Sequence, residues 1–434
     1  MEIKNKKFIV LFLGCRTNIC ESSAIIEEGI KRGLEYTKEE KEAEIVIINT
    51  CCVTNKAMSK SLYLINKISK YKDVNFICVC GCFSQYVKEI ENPKVKLILG
   101  NKYKNKIFDL IEEFNDKKII KIENLLEEKD FEKTSYSNSK TTRAFLKIQD
   151  GCNFKCSYCI IPLVRGKQRS CKKEELFKEI DNTINNGYLE IVLTGVNTAG
   201  YNDNGYCFFD LLKDIKKKYE KLNIRFRISS IEPFQITKPM IKFILTNNIF
   251  CPSLHICLQN STNEILKDMK RKYSFKEFLS LCNYARKINP FVSLTTDYIV
   301  GFPSENEKLF KKSIINLKKI KLANMHIFPF SLHKGTQAYG IKNLVSTSLK
   351  KKYFQTIEKL NNQLKNKYLS SFLNKKVEVV FENEKKEGYA NGHSQYFFSI
   401  YVKTKRKLQN QKYIVQINKI DKANNVFGRL IEKI

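Results

Sequence analysis

The sequence predicts an α/β protein in three parts: an N-terminal doubly wound parallel α/β domain, a central partial TIM-type barrel and a small C-terminal β-barrel. Three observations support this fold class. Buried apolar runs alternate with helical periodicity near the N-terminus, a second strand-and-helix series follows from Arg143 to about Tyr339, and short alternating runs fill Lys375–Ile434. A chain of 434 residues is also too long for one ordinary core.

The N-terminal part, predicted over residues 1–115, contains four apolar runs typical of buried parallel strands. These strands are expected at Phe8–Leu13, Ile45–Ile48, Phe76–Val79 and Val95–Leu99. Segments with helical periodicity separate them, at Glu21–Arg32, Lys56–Lys70 and Ser84–Ile90. The charged stretch of low complexity at 116–142 is predicted to be a linker with one short strand.

Six strands with intervening helices are expected in the central part, residues 143–372, and this number indicates a partial barrel. They are predicted at Ala144–Ile148, Glu190–Leu193, Arg225–Ile228, Leu254–Leu258, Ser293–Ile299 and Asn324–Phe330. A Lys-rich helix over about Leu344–Leu373 leads to residues 373–434, where the runs VEVVFE and KYIVQINKI predict a small all-β barrel.

Composition and charge limit the class of protein. A net charge of +32 suits a polyanion such as nucleic acid, although a Lys-, Asn- and Ile-rich composition also fits compositional drift. No apolar run approaches the roughly 18 residues that span a bilayer, and Glu2 and the motif at Gly14–Cys15 favour a first strand over a signal peptide. We therefore expect a cytoplasmic protein without a membrane partner, and the short spacings among its 15 cysteines favour metal ligands over a disulfide framework.

The first cysteine cluster is Cys152, Cys156 and Cys159, directly after the first predicted barrel strand. Three thiolates within eight residues can hold one face of a 4Fe-4S cluster and leave one iron without a protein ligand. That iron is open to the amino and carboxylate groups of S-adenosyl-L-methionine (SAM), and Tyr158 is predicted to lie over the cofactor's adenine. A structural zinc site with Cys171 as fourth ligand is the alternative, but the usual repeated Cys-x-x-Cys spacing is absent from the sequence.

The second cysteine cluster is Cys15, Cys51 and Cys82, which are more than thirty residues apart in the sequence. Each follows a predicted parallel strand, and the carboxyl ends of such strands line one crevice. Each is also expected where a helix begins, which favours the thiolate form. We therefore predict a second 4Fe-4S cluster at these three residues, with Cys52 as the nearest competitor to Cys51.

Other candidate residues follow predicted strands or lie on them. Thr194, Gly195 and Asn197 come just after a barrel strand and are predicted to bind the methionine end of SAM, with an ordinary turn as the alternative. His255 and His326 are expected to be packed barrel residues. Some aromatic residues of the C-terminal part are expected to contact RNA and more of them to form its core: Tyr389, Tyr396, Phe397, Phe398 and Tyr401.

Together these motifs resemble the radical-SAM methylthiotransferases over nearly the whole chain. GC-x-x-N, NTC-x-V and GC-x-x-Q resemble the N-terminal cluster-binding domain of that family, and GCNFKCSYCIIPLVRG resembles its radical-SAM signature. The strings LTGVN, HICLQNSTNEIL, DYIVGFPSE and FPFSLHKGT are similar to others in the family, and the C-terminal part resembles a TRAM domain. LQNST and GFPSE lack glycines that the family usually has there.

The resemblance implies a tRNA methylthiotransferase that uses two 4Fe-4S clusters, SAM and an external electron donor. Arg227–Pro233, RISSIEP, resembles the branch that converts N6-threonylcarbamoyladenosine at position 37, in the anticodon loop, to its 2-methylthio derivative. A radical is needed because the adenine C2–H bond has no useful pKa, and the cofactors supply that chemistry. The nearest alternative is the same reaction on N6-isopentenyladenosine of tRNA. An alternative of another class is a non-catalytic RNA-binding protein holding zinc or iron–sulfur clusters.

Overall fold

The computed structural model describes residues 2–132, 142–382 and 388–434. The chain divides into two compact units. The first consists of Met1–Ser139, Phe145–Glu175 and Ser331–Tyr339, and the second of Lys140–Ala144, Leu176–Phe330 and Gly340–Ile434. Both cysteine clusters therefore belong to the first unit.

A sheet of six parallel strands, in the order β2-β1-β3-β4-β5-β6, is the centre of the first unit. The strands are β1 (Lys7–Phe12), β2 (Glu35–Tyr36), β3 (Ile45–Thr50), β4 (Phe76–Gly81), β5 (Val95–Leu99) and β6 (Ile119–Lys121). The α-helices are α1 (Arg16–Lys31), α2 (Asn55–Ile68), α3 (Cys82–Val87) and α4 (Ile107–Glu112), with 3₁₀ turns at Asn101–Lys106 and Leu125–Glu127. Every residue of β3 and β4 is buried, because apolar cores lie on both faces of the sheet.

The first unit also contains the segment around the Cys152 cluster. It consists of β7 (Arg143–Asp150), α5 (Ile161–Arg165) and β8 (Arg169–Ser170), and the first two residues of β7 belong to the second unit. The end of β7 pairs antiparallel with β8, so the chain between them forms a closed loop that contains the three cysteines. Ile160 and Val164 pack into the core beside β3 and β4.

In the second unit, strands and helices alternate in the order expected for part of a barrel. The strands are β9 (Glu190–Gly195), β10 (Asn202–Asp203), β11 (Tyr206–Cys207), β12 (Arg225–Ile228), β13 (Ser230–Ile231), β14 (Ser253–Ile256), β15 (Ser293–Val300) and β16 (Asn324–Pro329). The helices are α6 (Lys173–Asn185), α7 (Phe208–Tyr219), α8 (Lys238–Thr246), α9 (Asn263–Asp268), α10 (Phe275–Ile288), α11 (Glu307–Ile320) and α12 (Thr347–Ser370). β9 pairs parallel with β12, and β13 to β16 pair parallel in sequence order.

The C-terminal strands close into a small barrel in the order β17-β18-β19-β21-β20. They are β17 (Lys376–Phe381), β18 (Tyr389–Ser394), β19 (Ser399–Lys403), β20 (Lys412–Ile420) and β21 (Val426–Lys433). The end of α12 and Phe372 pack into the barrel's apolar core. The predicted fold class is confirmed. Across the residues that the structure describes, no helix has the length and apolarity needed to cross a membrane.

Candidate active site

Cys15, Cys51 and Cys82 lie at the carboxyl ends of three neighbouring strands. Cys51 and Cys82 directly follow β3 and β4, and Cys15 comes three residues after the end of β1. Because β1, β3 and β4 are adjacent and parallel, the sheet brings these three positions to one edge. The predicted convergence of distant cysteines is therefore present in the backbone.

The thiol of Cys51 is electrostatically coupled to those of Cys82 and Cys15. Burial, together with the nearby thiols of Cys82 and Cys15, raises the pKa of Cys51 to about 12. A thiol in this state keeps its proton until a cation replaces that proton, because metal ions bind cysteine as thiolate. The site therefore has the donor chemistry of a metal centre, with the proton released when the metal binds.

The expectation that each of these cysteines begins a helix is correct at two positions and wrong at the third. Cys15 is the N-cap residue of α1, and Cys82 is the first residue of α3. Cys51 precedes α2 by several residues, because the Thr54 side chain accepts a hydrogen bond from Ala57 N (3.1 Å) and caps that helix instead. No helix dipole therefore favours the thiolate of Cys51.

Gly14 allows the turn before Cys15 to pass against Cys51. It has a φ of +99°, and a Cβ at this position would lie 2.7 Å from both Cβ and Sγ of Cys51. Only glycine accepts both this left-handed conformation and this contact. The GC pair in the first motif is thus explained by the close approach of two strand ends.

Two asparagine side chains hold the cysteine turns in place. Asn18 donates from Nδ2 to the carbonyl oxygens of Leu13 (2.7 Å) and Thr50 (3.0 Å), so that one amide ties the turn of Cys15 to the end of β3. Asn101 Nδ2 lies 3.6 Å from Cys82 Sγ and donates to the carbonyl oxygen of Val164 at 2.6 Å. Asn18 is the asparagine of the GC-x-x-N motif, whereas no motif indicated Asn101.

The loop of Cys152, Cys156 and Cys159 is closed by backbone contacts. Cys152 N donates to the Gly166 carbonyl oxygen (3.0 Å), and Cys159 N donates to that of Cys156 (3.1 Å). Gly151 has a φ of +68°, and a Cβ there would lie only 1.9 Å from the backbone oxygen of Lys167. The three cysteines are each partly exposed, and their role as cluster ligands stays a prediction.

Cys52 is close to the sulfur atoms of both cysteine clusters. Burial raises its pKa, and Cys82, Cys51 and Cys159 act in the same direction. It is fully buried in an apolar core. Packing in this core is sufficient to explain the burial of Cys52, and the choice of Cys51 over Cys52 as ligand stays a prediction.

A buried network of charged side chains lies beside the cysteine sites. Arg165, on α5, donates to both carboxylates of the network, with Nη1 2.9 Å from Glu21 Oε1 and 3.0 Å from Asp150 Oδ1. Lys147 lies 3.3 Å from Glu21, and Lys104 forms a second ion pair with the same carboxylate. Burial opposes ionisation of Glu21, but Arg165 and the two lysines lower its pKa well below the ordinary range.

The residues predicted to bind the methionine end of SAM belong to the second unit. Thr194 and Gly195 form the end of β9, and Thr194 Oγ1 lies 3.2 Å from Ser229 Oγ. Asn197 is buried and begins the 3₁₀ turn Thr198–Gly200. Tyr158, in the cysteine loop of the first unit, is partly buried. Contact of these four residues with SAM stays a prediction.

A polar cluster on β14, β15 and β16 was missed by the sequence analysis. Asp297 Oδ1 lies 3.4 Å from His255 Nε2 and 3.3 Å from His326 Nδ1, while His255 Nδ1 is 2.9 Å from Thr295 Oγ1. Burial opposes ionisation of Asp297, but the two imidazoles outweigh it and lower the pKa of that carboxyl. His255 is partly buried on its barrel strand, as expected, whereas His326 is exposed, and both histidines interact with Asp297. Their positions on neighbouring predicted strands were the available signal.

Comparison with known proteins agrees with this architecture. Residues 146–315 match the radical SAM superfamily, and residues 7–100 match a family described as uncharacterized protein family UPF0004. The fold is similar to that of the radical S-adenosylmethionine methyltransferase TsrM from Kitasatospora setae, with a TM-score of 0.56 and 12% identity over 77% of this chain and 75% of that chain. The protein is a radical SAM enzyme.

Full-length relatives define the family more closely. The threonylcarbamoyladenosine tRNA methylthiotransferase MtaB of Bacillus subtilis is 34% identical over 86% of this chain and 84% of its own. The ribosomal protein uS12 methylthiotransferase RimO of Thermodesulfovibrio yellowstonii is 32% identical over 81% of each chain. The tRNA-2-methylthio-N(6)-dimethylallyladenosine synthase of Staphylococcus haemolyticus is 31% identical over 88% of this chain and 77% of its own. The chain belongs to the radical-SAM methylthiotransferase family, and the family and enzyme class predicted from the sequence are confirmed.

Proposed function

We propose that this protein converts N6-threonylcarbamoyladenosine at position 37 of tRNA to its 2-methylthio derivative. The observation that carries the proposal is the presence of two three-cysteine sites in one compact unit, since the reaction needs a radical source and a sulfur source close together. The choice of substrate is supported by the relative from Bacillus subtilis, whose name states that activity.

The residues present fit two 4Fe-4S clusters. Each site offers three cysteines, which leaves one iron of a cubane cluster free of protein ligands. With clusters and SAM bound, the cofactors would supply the radical and sulfur chemistry that side chains cannot supply. The protein's own part is to hold the thiolates and to fix their geometry through Asn18 and Asn101.

The C-terminal barrel offers an aromatic surface suited to single-stranded RNA. Tyr401 on β19 lies opposite Phe427 on β21, with ring centroids 5.8 Å apart, and Tyr389 contacts the same Phe427 ring at 6.0 Å. These three rings are partly exposed, whereas Phe398 is buried in the barrel core. Partly exposed rings can stack on bases of the anticodon loop, and the excess of lysine adds affinity for phosphate.

The substrate is tested by nucleoside mass spectrometry of bulk tRNA. The chain is expressed in a bacterial host that lacks its own enzyme for this modification, beside a Cys152→Ala variant and a Cys78→Ala control, whose cysteine lies in the core of the sheet. We expect 2-methylthio-N6-threonylcarbamoyladenosine with the wild type and with Cys78→Ala, and none with Cys152→Ala. Formation of 2-methylthio-N6-isopentenyladenosine instead would move the protein to the other tRNA branch.

Metal analysis tests the cofactors independently of the substrate. Protein purified without oxygen and reconstituted with iron and sulfide should hold about eight iron atoms, for two cubane clusters. Removal of either cysteine triad should leave about four iron atoms. Zinc in a colourless protein would contradict the proposal and favour the non-catalytic alternative. An intracellular tRNA substrate also agrees with the expected cytoplasmic location and with an external electron donor.

A further inference from the structure

The helix that follows one cysteine cluster is part of the framework of the other. α5 begins two residues after Cys159, and its last residue, Arg165, is 1% exposed. Arg165 Nη2 donates to Asn18 Oδ1 at 2.8 Å. The same Asn18 uses its amide protons to tie the turn of Cys15 to the end of β3, directly before Cys51. The guanidinium is therefore connected to both cysteine turns through the side chain of Asn18 alone.

A second contact joins α5 to the third cysteine. The carbonyl oxygen of Val164, next to Arg165, accepts a hydrogen bond from Asn101 Nδ2, and this amide also lies 3.6 Å from Cys82 Sγ. One short stretch of chain thus reaches all three turns of the Cys15, Cys51 and Cys82 site through two asparagines. A loss of α5 contacts should disturb that site as a whole.

The charge of Arg165 is also directed at the sulfur atoms. Burial disfavours the guanidinium ion and lowers its pKa, but Asp150, Cys82, Glu21 and Cys15 outweigh burial and raise the pKa of Arg165 well above its ordinary value. The surrounding network contains the cations Arg165, Lys104 and Lys147 and the carboxylates Glu21 and Asp150. Burial raises the pKa of the neighbouring Glu132 carboxyl to about 7, which weakens its negative charge near neutral pH.

We propose that Arg165 is a positioning residue for the cluster at Cys15, Cys51 and Cys82: it fixes Asn18, and through it two cysteine turns, and places positive charge beside the thiolates. The motif of the radical SAM loop, which contains Arg165, thereby serves the neighbouring cluster as well. The inference depends on the proposed cluster at these cysteines. Positive charge near an anionic cluster favours its reduced form, so loss of Arg165 lowers the reduction potential.

The test uses a parent variant in which Cys152, Cys156 and Cys159 are replaced by Ala, so that only the site at Cys15, Cys51 and Cys82 can hold a cluster. In this parent, Arg165→Gln removes the charge, Asn18→Ala removes only the link to the turns, and Arg32→Gln is the control. Arg32 is a partly exposed arginine directly after α1, with ion pairs to Glu28 and Asp109. Measurements are iron and sulfide per chain after reconstitution, the midpoint potential followed by electron paramagnetic resonance, and the circular dichroism of the protein without metal.

We expect the parent and Arg32→Gln to hold about four iron atoms per chain. Arg165→Gln and Asn18→Ala should retain less than half of that iron, with native circular dichroism, and the iron kept by Arg165→Gln should have a lower midpoint potential. If Arg165→Gln does not fold, Asn18→Ala decides by the same iron criterion. Full iron and an unchanged potential in the folded variants would overturn the inference. A parent that binds no iron would instead refute the proposed cluster itself.

Discussion

Replacement of Glu190 by Gln should destabilise the second unit more than the same substitution of a surface glutamate. Glu190 is fully buried between two arginines on the neighbouring strand: Arg225 Nε lies 2.7 Å from Glu190 Oε2, and Arg227 Nε lies 2.6 Å from Oε1. Burial alone would raise the pKa of Glu190, but the two arginines hold it well below the ordinary range. The variant leaves both buried guanidinium groups without this charge.

The size of the effect follows from the partners that remain. Arg225 keeps the Glu378 carboxylate at 2.9 Å, whereas Arg227 keeps hydrogen bonds to the Ser394 and Gln395 carbonyl oxygens but no carboxylate among the contacts described. Breaking a buried ion pair costs about 3–5 kcal/mol, and the partner left to Arg225 places the loss near 3 kcal/mol. With a urea dependence of up to about 3 kcal/mol per molar, the unfolding midpoint should fall by about 1 M or more.

The measurement is urea unfolding followed by far-ultraviolet circular dichroism, since the chain has no tryptophan. Glu220→Gln is the matched control. Glu220, directly after α7, forms an ion pair with Lys216 (2.6 Å), and ion pairs at the protein surface contribute little to stability. Because the folded pKa of Glu190 is lowered, its contribution is present above the ordinary carboxyl pKa of 4.5 and is lost as the pH falls below it. Equal midpoints for Glu190→Gln and the wild type at pH 7 would refute this reasoning.

Three further predictions concern burial, backbone conformation and the cysteines. Burial raises the pKa of Glu305 to about 7, so the wild type should lose stability as the pH rises from 5 to 8. Relative to the wild type, Glu305→Gln should be more stable by up to about 3 kcal/mol at pH 8 but by little at pH 5. Urea unfolding midpoints of both proteins at pH 5 and pH 8 check this. Gly151→Ala should lose iron and stability, whereas Gly205→Ala, with a similar positive φ of +94° but open space around it, should show only the small cost of backbone strain in thermal unfolding. Cys51→Ala should abolish iron binding at the N-terminal site and Cys52→Ala should preserve it; metal analysis in the variant lacking the Cys152 triad distinguishes them, and the reverse result would exchange their roles.

Local patterns in the sequence were sufficient to place the strands and the strand-end cysteines. β3 and β4 are continuous apolar runs buried on both faces, and Cys51 and Cys82 directly follow them. The edge strand β2 was not predicted, because two residues carry no clear period, whereas β6 lies in the linker where one short strand was expected without stated bounds. The convergence of the cysteines then follows from the sheet order, because the carboxyl ends of neighbouring parallel strands lie at one edge of the sheet.

Contacts between distant residues were beyond reach of the sequence patterns. Arg165 lies 144 residues from Glu21 and 147 from Asn18, and no periodicity links such positions. The cluster of His255, Asp297 and His326 depends in the same way on the register of three strands. In both cases the sequence showed a polar residue in a motif, and only the fold showed its partner.

Arg227 has a structural role that is independent of the substrate. In the sequence it is the first residue of RISSIEP, the string that resembles the threonylcarbamoyladenosine branch. In the structure its guanidinium binds Glu190 and the Ser394 carbonyl oxygen and lies 5.1 Å from the centre of the Phe397 ring, so it joins β12 to the C-terminal barrel. Those contacts account for an arginine at this position whatever base is modified. Arg227 is therefore not an argument for one modified adenosine over another. The proposed threonylcarbamoyladenosine substrate depends instead on the full-length relatives.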